Sequence, residues 1–76
     1  MNLAPNPASD ILRVTMTEEV GGGQAIIHDA QGNMVIQAQV QGASFVLDVA
    51  GLSVGPYYIS FIRGGERIVS GFSVQR

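Results

Sequence analysis

The sequence predicts an all-β fold, a sandwich of about seven short, mainly antiparallel strands. Apolar and polar residues alternate with period two in several separate stretches, and no segment carries a 3.6-residue apolar period. Those stretches recur at roughly 8–12-residue spacing and are divided by glycine turns, the rhythm of a sandwich.

The chain begins with a lead-in, residues 1–10, that holds Pro5-Asn6-Pro7 and a possible first strand near residues 2–5. Each proline pushes the residue before it towards extended conformation. The sandwich proper is assigned to residues 11–76. Leu12, Val14 and Met16 alternate with Arg13 and Thr15 as a half-buried strand. Glu18, Glu19 and the Gly21–Gly23 run read as a polar connection. Gln24–Asp29 is a second strand, with Ala25 and Ile27 on one face and Ile26 and His28 on the other. Asp29-Ala30-Gln31-Gly32 has the residues of a type I turn followed by a left-handed glycine. Val35–Gln39 runs back, Gln41-Gly42-Ala43 is read as a further turn, and Phe45, Leu47 and Val49 supply the next inner face.

Leu47–Phe61 is the organising stretch, a strand end, a tight crossing and a strand start. Leu52 is expected to plug the connection. Gly51 and Gly55 permit positive φ, and Pro56 fixes φ where the chain becomes extended again. Tyr57, Ile59 and Phe61 share one face and Tyr58 takes the opposite one, so one of the two tyrosines is core and the other is free for a contact surface. Arg63-Gly64-Gly65-Glu66 reads as a hairpin turn, and Arg67–Val74 as the last strand. Gly71 within it predicts a bulge or the close approach of another backbone. A terminal strand is also expected to be an edge.

Composition narrows the function. Seventy-six residues allow one domain with a modest core. There is no cysteine, so neither disulfides nor thiolate metal sites are available. Only 13% of residues are charged and the net charge is −2, which gives no basic footprint for nucleic acid. No apolar run reaches the roughly 20 residues of a membrane helix. No signal-peptide pattern opens the chain, and a loop-like stretch follows Met1 at once, so a piece of a larger parent is expected.

Chemical groups are sparse. His28 is the single histidine and lacks the partners that a metal or general base needs. Ser9, Asp10 and His28 are the residue types of a hydrolytic triad, but Ser9 sits in a proline-rich lead-in without a nucleophile elbow. The GGGQ run lacks the lysine of a phosphate loop. Asp29 and Asp48 read as backbone caps rather than an acid–base pair. Neither an enzyme nor a cofactor is expected.

Four blocks carry a family resemblance. They are Pro5–Asp10 with Leu12 and Val14; Ile27–Asn33 with Val35; Leu47–Leu52 with Gly55-Pro56-Tyr57; and Phe72–Arg76. In this order and spacing they resemble the type A C-terminal sorting domain of cargo proteins exported by the type IX secretion system of Bacteroidetes. His28 stands where that family usually has an aromatic residue, and Asn33 and Gly71 where it often has lysine.

The resemblance implies an immunoglobulin-like sandwich that acts as a secretion address. It implies periplasmic transit, recognition by the type IX translocon and an outer-membrane shuttle protein, and arrival at the cell surface or in the medium. A sortase-like cysteine protease usually removes the domain, at or before the first residues of this chain. By the same resemblance the recognition residues are Pro5, Asn6, Pro7, Asp29, Gly32, Asp48, Leu52, Gly55, Tyr57, Phe72, Val74, Gln75 and Arg76. The alternative is an immunoglobulin-like structural or adhesive module retained on a surface protein. Exposed edge strands also offer a route to a homodimer.

Overall fold

In the computed structural model the described residues form five strands and no helix: β1 (Asn2–Ala4), β2 (Ile11–Asp29), β3 (Met34–Asp48), β4 (Gly55–Arg63) and β5 (Glu66–Val74). The structure describes residues 1–16 and 22–76. The Glu18, Glu19 and Gly21 part of the expected connection lies outside the described residues.

All strand pairings are antiparallel, and two strands serve both layers. The first part of β2 lies between β1 and the end of β3, with Leu3 and Phe45 both opposite Val14. The later part of β2 lies between the start of β3 and β4, with Gln37 and Ser60 both opposite Ile26. β5 then pairs with β4. One layer therefore reads β1–β2–β3 and the other β3–β2–β4–β5. With the two arms of β2 and of β3 counted separately, the expected seven short segments are present in five continuous strands.

The apolar phase marks where the chain changes layer. In β2 the buried residues are Leu12, Val14 and Met16, and then Ala25 and Ile27. In β3 Ile36, Ala38 and Val40 face the core, followed by Phe45 and Leu47. Both strands switch from even to odd positions. In β3 the switch surrounds Gly42, whose φ is +90°. The turn expected at Gln41-Gly42-Ala43 is therefore a phase change inside a continuous strand. A left-handed glycine serves a bulge as well as a turn, and here the pairing with β2 resumes on both sides of it.

One glycine is fixed by a partner from a distant strand. A Cβ on Gly23 would lie 2.6 Å from Cζ of Phe61 and 2.8 Å from the carbonyl oxygen of Ile62. The bare backbone is what lets β4 bring Phe61 against β2, where the Phe61 ring also meets Phe45 at 6.4 Å. Leu12, Val14, Ile27, Ile59, Val49 and Val74 are fully enclosed between the layers. Burial of each such side chain stabilises the fold by roughly 1.5–3 kcal/mol.

The β4–β5 hairpin turns at Gly64, where φ is +58°, with Arg63 opposite Glu66. Its register is unbroken from there to the pair Gly55 and Val74. Gly71 is therefore neither a bulge nor a site of unusually close backbone approach. It lies opposite Tyr58, whose ring would meet an added Cβ at 3.7 Å, an ordinary van der Waals contact.

Candidate functional site

The four sequence blocks meet at one end of the sandwich, opposite the Gly64 hairpin. The long β2–β3 hairpin folds over on itself, so its tip at Asp29–Asn33 and its base at Asp10 and Asp48 come to the same end. There the start of β4 and the end of β5 join them.

The tip is an aspartate-capped turn. Oδ1 of Asp29 accepts the backbone N–H groups of Gln31 at 3.0 Å and Asn33 at 2.9 Å. Oδ2 accepts the side-chain amide of Asn33 at 3.3 Å. The amide of Gly32 donates to the Asp29 carbonyl at 3.0 Å, and Gly32 takes φ +90° as the turn requires. The backbone donor of Asn33, with help from its side chain and from Gln31, lowers the pKa of Asp29 below the ordinary carboxylate value.

The loop between β3 and β4 is built the same way. Oδ1 of Asp48 accepts the Ala50 amide at 3.0 Å. The amide of Val49 donates to the Asp10 carbonyl at 2.9 Å, and that of Leu52 to the Val49 carbonyl at 3.0 Å. Leu52 packs partly buried against the core, as a plug for the loop. The Tyr57 hydroxyl donates to the Ser53 carbonyl at 2.6 Å, which ties the loop's end to the first residues of β4. Of the two glycines that permit positive φ here, Gly55 uses it at +150° and Gly51 does not.

The C-terminal segment closes this end. Phe72 stacks on Tyr57 with centroids 5.8 Å apart, and Val74 is fully buried. The Arg76 guanidinium then reaches back over the loop. It donates to the carbonyl oxygens of Val49 at 2.9 Å, of Ala50 at 2.7 Å and of Leu52. Three backbone acceptors pointing at one cation give the loop a charged clasp.

The lead-in lies along the other side of β5. Ala8, fully buried, bridges Val74 in parallel sense. Its amide donates to the Ser73 carbonyl and its carbonyl accepts the Gln75 amide, each at 2.8 Å. Oδ1 of Asn6 accepts the Ser73 amide at 3.2 Å. The last part of β5 is therefore covered on both sides, and its free edge is limited to the part nearer Glu66. The Ala4–Pro5 and Asn6–Pro7 peptide bonds are both cis.

The thirteen residues singled out in the sequence divide into three groups. Tyr57, Phe72 and Val74 are core, and Leu52, Gly55 and Asp29 are half-buried. Pro5, Asn6, Pro7, Gly32, Asp48, Gln75 and Arg76 are exposed. Between the two turns is a shallow cleft of about 360 Å³, bordered by Asp29, Gln31, Ser53, Val54 and Tyr57. Ala8 and Ser53 belong to this end and were not singled out. Ala8 acts through its backbone and Ser53 through its carbonyl, so their side-chain types carried no signal. Among the described residues no three His, Cys, Asp or Glu side chains gather as metal ligands.

A family model described as the secretion system C-terminal sorting domain matches residues 2–75. No curated protein matches the chain.

Proposed function

Because the chain belongs to the type IX secretion C-terminal sorting domain family, we propose that its motif-bearing end is the surface that the secretion machinery reads. The family is a secretion tag that directs export across the outer membrane to the cell surface or the medium. In the finer reading, the domain crosses the periplasm folded and is recognised by the type IX translocon and an outer-membrane shuttle protein. A sortase-like peptidase then removes it by a cut at or before its first residues. The domain is the substrate of that peptidase and has no catalytic role of its own.

The observation that carries this reading is the convergence of the four blocks. Arg76 is clasped to the Val49–Leu52 loop, and Ala8 is bonded to both Ser73 and Gln75. The exposed members, Pro5, Asn6, Pro7, Gly32, Asp48, Gln75 and Arg76, thereby form one composite surface. An address of this kind is read as a shape rather than as a linear tail.

The test is a secreted reporter fused to residues 2–76 in a bacterial host with a working type IX system. Gln75→Ala and Pro7→Ala change the motif-bearing end, and Arg63→Ala and Glu66→Ala the opposite hairpin. The expected result is that export falls only for the first pair, with all four variants folded by circular dichroism. Equal export by all four would count against this surface. The mass of the exported reporter reports whether, and where, the domain has been cut.

A further inference from the structure

With the end of β5 covered by the lead-in, the long free edge among the described residues belongs to β3. Among the described residues β3 pairs only with β2, so its other side presents unpaired backbone groups. Natural edges are guarded by charges, proline, bulges or shortness. β1 is three residues long, and β5 begins with Glu66-Arg67. By contrast, residues 33–47 contain neither a charged residue nor a proline. A register shift at Val35 and the left-handed Gly42 interrupt the edge. Between them Ile36–Val40 runs in regular register, the length of an ordinary strand.

That stretch reads Ile-Gln-Ala-Gln-Val, nearly the same in both directions about Ala38. Ile36, Ala38 and Val40 face the core, while Gln37 and Gln39 are exposed on the outer face. An isologous two-fold contact needs a surface that is complementary to itself. A strand palindromic about its centre meets that need when it pairs antiparallel with its own copy.

We propose that the β3 edge at Ile36–Val40 is a self-association surface, on which a second copy of this chain lays its own β3 antiparallel about Ala38. In that register Gln37 lies opposite Gln39 of the second copy, twice across the two-fold axis, and their side-chain amides can exchange hydrogen bonds. Ile36 lies opposite Val40 and extends the apolar face. The β3–β2–β4–β5 layer becomes a sheet continuous across two molecules. No segment is exchanged, and the contact does not depend on the secretion reading. An edge contact of this kind buries little area, so the association is weak and depends on concentration.

The experiment is sedimentation velocity on residues 1–76 from about 10 µM to about 1 mM at low ionic strength. The wild-type chain is expected to shift from monomer to dimer across that range. Gln37→Lys with Gln39→Lys puts like charges opposite each other twice and is expected to weaken the dimer several-fold. Gln37→Lys with Gln39→Glu in one chain puts opposite charges together twice and is expected to keep or tighten it. Both pairs of changes lie on the exposed face, and circular dichroism verifies that each monomer is folded. A wild-type chain that stays monomeric throughout would overturn the proposal. So would two variants that dimerise alike, because the contact would then lie elsewhere.

Discussion

The guanidinium of Arg76 donates to the carbonyl oxygen of Val49 at 2.9 Å, across 27 residues of sequence. The same group holds Ala50 and Leu52, so the last residue of the chain staples the loop that joins β3 to β4. Replacing Arg76 with alanine removes all three bonds. Because the arginine is exposed and water can replace it, the expected cost is about 1 kcal/mol. In a domain of this size that lowers the melting temperature by about 4–8 °C. Arg76→Lys, with a compact ammonium in place of the planar fork, is expected to fall between the two. Thermal unfolding followed by circular dichroism checks the order, and equal melting of all three would remove the clasp from the account.

Among the described glycines, Gly23 is the one where an added methyl meets the tightest contacts. Its Cβ would meet the Phe61 ring at 2.6 Å and the Ile62 carbonyl at 2.8 Å. The ring is enclosed and the carbonyl is backbone, so neither yields without moving β4. Gly23→Ala is expected to destabilise the fold by roughly 1–3 kcal/mol, the range for overpacked cores. Gly51→Ala, where no atom lies within 4 Å of the added methyl, serves as the control. Urea unfolding of the two variants should separate them clearly.

The Asp29 turn predicts an acid limb in stability. The backbone and side-chain donors of Asn33 hold the folded-state pKa of Asp29 below its ordinary value. A lowered folded pKa stabilises the folded state above the unfolded pKa, and that contribution is lost as pH falls through the folded one. The loss should therefore be seen below about pH 4 and not at neutral pH. Asp29→Asn keeps an oxygen acceptor for the turn but cannot titrate. Its urea midpoint is expected to change less with pH across that window than that of the wild-type chain, and parallel pH profiles would contradict the assignment.

Much of the fold was legible because strand alternation is local. Tyr57, Ile59 and Phe61 are buried and Tyr58 exposed, as period two requires, and Asp29–Gly32 forms the turn its residues specify. Gly42 was not legible in the same way. A left-handed glycine is used by turns and by bulges alike, and only pairing with β2 on both sides decides between them. Gly23 and Gly71 owe their environments to Phe61 and Tyr58, aromatic partners on β4 that no local window contains.

The candidate site shows the same division. Asp29 and Asp48 cap backbone amides two residues on, a short-range pattern that sequence carries well. The acceptors for Arg76 are carbonyls of residues whose side chains give no hint of the contact. Ala8 enters through its backbone bonds to Ser73 and Gln75 and through a methyl group buried in the core. The register of a folded-over hairpin brings these groups together, and a linear reading could group them only through the family blocks.

The most direct test of the central claim is localisation of a reporter fused to the intact domain in two hosts. One has a working type IX translocon and the other lacks it. Sorting by this domain predicts that the reporter reaches the surface or medium only in the first host and is held inside the outer membrane in the second. Retention in both hosts, with the domain folded, would contradict the claim and favour an adhesive module that stays on its parent.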